Sequence, residues 1–234
     1  MKILLYGGSF DPPHNGHLNN LRAAAARVHP DRVVVMPAGV SPFKQGTAAP
    51  GALRLEMCQC FRSLAQGADA VAPQLQISGW EIEQAKAGNR NYTVRTLEKL
   101  ARDDPGAKLY LAIGSDMLLS FDGWHRWQDI LRLSRLVVTS RNAGDAPELH
   151  EKAKQLDPTG ARILLAPAPA MPMASSEIRT RLARGERCEA QLPELVWQII
   201  RREGLYQTEK RKSLRNGPET GKGTGARTAE RETL

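Results

Sequence analysis

Cysteine is scarce in this chain: Cys58, Cys60 and Cys188 are the only three in 234 residues. No C-x-x-C pair occurs, and the first two lie two apart on a predicted helix, pointing to different faces. That pattern argues against a zinc site or a disulfide framework and predicts reduced thiols. Also missing is any apolar run near the roughly 20 residues that span a bilayer. The opening "MKILLYGGSF" is too short in apolar residues to form a secretory h-region, so a cytoplasmic address is expected. No internal repeat is present.

Charge of one sign does predominate. The net charge is +8, but part of it sits in the last stretch. From Thr208 to Leu234 there are seven basic residues against four acidic ones and no aromatic residue. Such a segment cannot bury enough apolar surface to offset its ordering entropy, so residues 208–234 are expected to be a disordered basic tail. Its "GPETGKG" imitates a phosphate loop but is one residue short and lacks a Ser or Thr after the lysine. The remaining +5 on residues 1–207 suits a protein that handles phosphates and does not demand a nucleic-acid partner.

What is present is alternation of strand and helix. "KILLY", "DRVVVMPA", "KLYLAIGSD", "RLVVTSR" and "ARILLAP" read as buried strands, and "DAVAPQLQIS" contains a further one. Helical spacing runs through Leu18, Leu21, Ala25 and Val28, through "ALRLEMCQCFRSLA", and through "YTVRTLEKLARDD", which stops before Pro105. Two short helices, "SSEIRTRLARG" and "LPELVWQIIRREG", follow, the second with Leu195, Val196, Ile199 and Ile200 as its apolar stripe. The predicted fold is α/β: a Rossmann-like, doubly wound parallel sheet with helices on both faces and a small C-terminal helical part, one domain over residues 1–207.

"GGSFDPPHNGH", residues 7–17, falls where ligands bind in such sheets, just beyond the first strand. Gly7 and Gly8 are expected to allow close main-chain approach and positive φ. Pro12 and Pro13 stiffen the turn, and the helix beginning near Asn15 to His17 aims free N–H groups at an anion. His14 and His17, three apart, can face one ligand. On spacing alone, phosphate binding competes with three other readings: a metal pair lacking a third ligand, an acid–base pair lacking a Ser or Cys nucleophile, and ordinary surface histidines.

This stretch resembles the H-x-G-H signature of the nucleotidyltransferase superfamily, whose members join a nucleotide α-phosphate to an acceptor and release pyrophosphate. "MASSEIRTRL" at 173–182 is similar to a second superfamily element, S-S-x-I-R. In physical terms, Ser175 is expected to cap a helix, and Arg179 can fork onto phosphate oxygens. "NYTVRTL" (91–97), "IGSDML" (113–118) and "FDGWHRW" (121–127) resemble bacterial nicotinate mononucleotide adenylyltransferases, and the likeness covers essentially residues 1–206.

The resemblance implies an ATP site drawn from Gly7, Gly8, Ser9, Phe10, His14, His17, Gly114, Ser175, Ser176 and Arg179. It implies catalytic roles for His14, His17, Lys44 and Arg179. It places the mononucleotide against Lys44, Tyr92, Thr93, Asp116 and Trp124: the ribose on Asp116, the pyridine ring on Trp124, the carboxylate at Thr93. Trp127 and Trp124 are close enough in sequence that either could be core. Mg²⁺ is expected on the ATP phosphates, with no dedicated protein cage. The acceptor is expected to be nicotinate mononucleotide, with nicotinamide mononucleotide or another phosphate acceptor as the alternative. A homo-oligomer would fit the family. One departure stands out: "SPFK" at 41–44 puts Phe43 where the family often has histidine.

Overall fold

Ile3, Leu4 and Leu5 are consecutive and all buried, which an amphipathic strand cannot be; both faces of this strand must be covered. The structure, a computed structural model, describes residues 1–39, 47–140, 144–169, 171 and 173–207. Six parallel strands form its sheet: β1 (Lys2–Gly8), β2 (Arg32–Pro37), β3 (Gln74–Ile77), β4 (Lys108–Gly114), β5 (Ser134–Thr139) and β6 (Ile163–Ala166). Their order is β3-β2-β1-β4-β5-β6, with every pairing parallel.

The helices among the described residues are α1 (Asn15–Val28), α2 (Gly51–Met57), α3 (Trp80–Lys86), α4 (Thr93–Asp103), α5 (Ser115–Leu119), α6 (Trp127–Leu133), α7 (Ala146–Leu156), α8 (Ser175–Ala183) and α9 (Glu194–Glu203). The period-2 alternation of each strand divides the core in two. Leu4 and Tyr6 of β1 join Leu21 of α1, Ile178 of α8 and Ile199 of α9 on one face. Ile3 and Leu5 join Leu97 of α4, Leu118 of α5, Ile130 of α6 and Leu149 of α7 on the other. The two C-terminal helices are thus part of the main core layer rather than an appendage. Among the described residues, no helix is long and apolar enough to cross a membrane.

The strand order reverses between β1 and β4, and in open parallel sheets ligands bind at such a point, beyond the carboxyl ends of the strands. Helices that return to a parallel strand start at that same edge, so the N-termini of α1 and α4 lie on it. This is the edge to which the predicted site residues map.

Three local expectations are corrected. Residues 52–65 are not one helix: α2 stops at Met57 and a 3₁₀ helix runs Cys58–Ala65. That tighter winding turns Cys58 and Cys60 into the same core instead of onto different faces. Burial pushes the Cys58 thiol well up and Cys60 up to about 12, which leaves neither as a thiolate nucleophile at neutral pH. Leu195 is 38 % exposed, because the first turn of α9 presents that position to solvent while Val196, Ile199 and Ile200 carry the packing. The short helices α3, α5 and α6 and the 11-residue α7 are further elements that the sequence pattern does not mark.

Candidate active site at the carboxyl edge of the sheet

The turn after β1 is hydrogen-bonded to residues far away in the chain. Gly7 and Gly8 end the strand with ordinary backbone, and the positive φ falls on Phe10 (φ 46°) instead, correcting the expectation for the glycines. The reason lies in packing: the Phe10 ring, 1 % exposed, packs at a tilt against Tyr6 and edge-on against Phe61. A Cβ on Gly8 would sit 3.0 Å from that ring. Phe10 therefore offers only its main chain to a ligand, while its side chain anchors the turn.

His14 is the N-cap of α1, and its ring lies 3.8 Å from the His17 ring, centroid to centroid. Gly16 between them leaves the space this needs, since a Cβ there would come within 3.1 Å of the His14 ring. The His14 backbone N–H donates to Nδ1 of His17 at 3.2 Å. With Nδ1 accepting, the neutral His17 ring carries its proton on Nε2, the nitrogen that can donate to an anion. His14 is nearly sealed, 1 % exposed; His17 is only partly buried.

The second motif closes on this turn from across the chain. Ser175 donates from Oγ to the Pro12 carbonyl (2.9 Å), and Arg179 donates from Nη1 to the Asp11 carbonyl (2.8 Å). Ser175 is not the cap it was expected to be: Ala174 holds the N-cap position and Ser175 begins the helix, its hydroxyl committed to holding α8 against the turn. Ser176 is exposed at the same helix start.

Two buried residues that the sequence did not single out organise the turn. The Asp11 carboxylate accepts N–H bonds from Ala48 (2.8 Å) and Ala49 (3.0 Å) and the hydroxyl of Tyr206 (2.8 Å). Arg54, 1 % exposed, donates to the carbonyls of Ser9 (2.8 Å), Gly39 (3.2 Å) and Ala49 (3.3 Å). Burial lowers its pKa and nearby Asp11 raises it. Together they tie the turns after β1 and β2 to α2 and to the end of α9. Burial together with the phenol's bond to the Asp11 carboxylate pushes the Tyr206 pKa up, so it stays a donor.

A second group of predicted residues lines a cleft of ≈ 710 Å³, within the usual range for small-molecule sites. Tyr92, Thr93 and Trp124 all face it; Trp127 and Asp116 are not among its lining. Tyr92 is the N-cap of α4 and Thr93 its first residue. Tyr92 stacks on His125 at 4.2 Å, and Trp124 packs on buried Phe121 at 5.2 Å. The ion pair of Arg126 with Glu98 (2.9 Å) fastens this loop to α4. Asp116 is exposed one residue into α5, beside Gly114 at the end of β4, where a Cβ would lie 2.6 Å from its carboxylate. Lys44 and Phe43, like residues 208–234, lie outside the described residues.

The start of α4 is set by α3. Gly39 packs so closely under it that a Cβ would meet the Glu81 carbonyl at 2.2 Å. Asn91 donates to that same carbonyl (3.0 Å) and Thr96 to the Glu81 carboxylate (2.6 Å). Burial outweighs the Thr96 bond and raises the Glu81 pKa to about 6. A carboxyl whose folded-state pKa exceeds its unfolded value stabilises the fold below about pH 4.5 and loses that contribution as pH rises through about 6. Glu81→Gln is therefore expected to be more stable than the parent at pH 7, by about 2 kcal/mol. The difference should vanish near pH 4 when denaturant midpoints are compared; a constant difference across that range would contradict the assignment.

The chain is similar to known proteins over most of its length. A sequence model of the family described as cytidylyltransferase-like matches residues 5–181. A protein of Acidithiobacillus ferrooxidans named "Probable nicotinate-nucleotide adenylyltransferase" is 34% identical over 220 residues, 88% of this chain and 96% of its own length. The chain belongs to the cytidylyltransferase-like family, among the nicotinate-nucleotide adenylyltransferases. A second adenylyltransferase of that name, from Chlorobium phaeobacteroides, is 32% identical and covered completely, against 88% of this chain. The fold matches the Plasmodium falciparum nicotinic acid mononucleotide adenylyltransferase complexed with NaAD, with a TM-score of 0.69 at 17% identity over 88% of this chain and 97% of that one. Its complex with APC gives 0.64 at 16% identity, over 88% and 96%.

Proposed function

We infer that this adenylyltransferase moves the adenylyl group of ATP onto nicotinate mononucleotide, forming nicotinate adenine dinucleotide and pyrophosphate, a step of NAD biosynthesis. A 5′-phosphate oxygen of the mononucleotide attacks the α-phosphorus, one P–O bond forms, and the bond to the β-phosphate oxygen breaks in line. Both reactants are anions, so the protein's task is positioning and charge stabilisation. The observation that carries this reading is the closure of Ser175 and Arg179 onto the main chain beside the His14–His17 pair, in a chain whose relatives bear that activity's name.

In this reading His17 presents Nε2–H to the α-phosphate as charge builds there, and His14 buttresses it. The N–H groups at the start of α1, with no acidic residue in its first turn, face the phosphates. Arg179 and Lys44 supply cationic donors. Mg²⁺ enters as part of the substrate, on the β- and γ-phosphates. The donor set here, imidazole and guanidinium, suits phosphate oxygens rather than a cation, and the Asp11 carboxylate is committed to three protein donors. The mononucleotide ring lies in the cleft of Tyr92, Thr93 and Trp124, with flat contact on the indole and its ribose toward Asp116.

Following pyrophosphate release tests this directly. With ATP and Mg²⁺, release should require nicotinate mononucleotide and match dinucleotide formation mole for mole. Phosphate or pyrophosphate release without an acceptor would point to a hydrolase instead.

A further inference from the structure

The cleft that holds Tyr92, Thr93 and Trp124 has an uneven charge. Among the described residues that line it there is no carboxylate, while Arg90 and His125 are present. Arg90 precedes α4 by three residues and is exposed, its Nη1 donating to the Tyr92 hydroxyl at 3.5 Å. That hydroxyl belongs to the ring stacked on His125, so the guanidinium is held at the rim of the same aromatic wall. The amino end of α4 adds the positive pole of an 11-residue helix with no acidic residue in its first turn. Nothing in the reaction chemistry requires a fixed cation here, because the phosphates are handled at the other end of the site.

We propose that Arg90 is a specificity-determining residue, pairing its guanidinium with the anionic ring substituent of the acceptor and so favouring an acid over the corresponding amide. The proposal rests on the adenylyl-transfer reading above. A guanidinium matches a planar carboxylate with two parallel N–H donors. A carboxamide offers one acceptor oxygen and turns an NH₂ toward the cation, losing both the charge and one of the two bonds.

The two mononucleotides separate this role from phosphate binding, because both carry the 5′-phosphate and only one carries the carboxylate. In the full chain, kcat/KM with ATP is measured for nicotinate and nicotinamide mononucleotides in the parent, Arg90→Met and Arg90→Lys. Arg90→Met should lower kcat/KM for the nicotinate substrate about tenfold or more, chiefly through KM. For the nicotinamide substrate it should stay within about twofold. Arg90→Lys, which keeps the charge without the fork, should recover part of the loss. Equal losses on both substrates would overturn the proposal and assign Arg90 to the phosphate or to structure; no loss on either would overturn it outright. A parent chain that makes dinucleotide from neither substrate would instead overturn the adenylyl-transfer reading beneath it.

Discussion

His17→Ala is expected to lower kcat on the order of several hundredfold, with a smaller change in KM for ATP. The size follows from what is removed. Nδ1 of His17 accepts the His14 backbone N–H, which orients the ring, and in the proposed reaction Nε2–H donates to the α-phosphate. Loss of one such donor, acting only as charge develops on the pentavalent phosphorus, costs about 3–4 kcal/mol of transition-state stabilisation. The fold should survive, since the ring is only partly buried and Phe10 keeps its contacts with Tyr6 and Phe61. Single-turnover kinetics beside a thermal melt would separate the two effects. Near-normal turnover in a folded His17→Ala variant would remove His17 from the chemistry.

Arg54→Met is expected to have the largest effect on stability. Methionine fills much of the same volume, but three carbonyls, from Ser9, Gly39 and Ala49, lose a donor at once. An acceptor that loses its donor costs about 1–3 kcal/mol, least at Ala49, whose carbonyl still accepts the Thr47 hydroxyl. The Asp11 carboxylate also loses the nearby cation that offsets its charge. A total of about 3–5 kcal/mol corresponds to a fall of roughly 10 °C or more in Tm for a chain of this size. Arg54→Lys should rescue little, because one ammonium cannot fork to carbonyls on three separate segments. A Tm within about 2 °C of the parent for Arg54→Met would show that these bonds are replaceable.

These two residues also mark how far the sequence reaches. The placement of His17 beside His14 was legible because it is local: H-x-G-H follows a buried strand, and three-residue spacing at a helix start brings the rings together. The central strands were legible for the same reason, as unbroken apolar runs. Arg54 reads as one more polar residue on a helix, since its partners Ser9 and Gly39 lie 45 and 15 residues away. Asp11 is bonded to Tyr206 across 195 residues, and no periodicity reveals that. Helices such as α5 and α6, of 5 and 7 residues, are too short to show a helical repeat. Ser175 shows a subtler limit. A serine at a helix start suggested a cap, but the hydroxyl is taken by Pro12, 163 residues earlier. Only the packing shows that bond.

Gly39 extends the point to the acceptor side. A Cβ there would collide with the Glu81 main chain, and Glu81 in turn holds Asn91, one residue before Tyr92. The cleft is therefore shaped by the loop after β2 as well as by the residues that line it. That coupling links the two halves of the site through the Arg54 bond to Gly39.

The most direct measurement is a crystal structure of the protein with a non-hydrolysable ATP analogue and Mg²⁺. The triphosphate should lie over the carboxyl end of β1, with Nε2 of His17 within about 3 Å of an α-phosphate oxygen and the N–H groups of α1 facing the chain of phosphates. A nucleotide bound elsewhere, with that turn vacant and the two imidazoles still closed on the protein interior, would contradict the assignment.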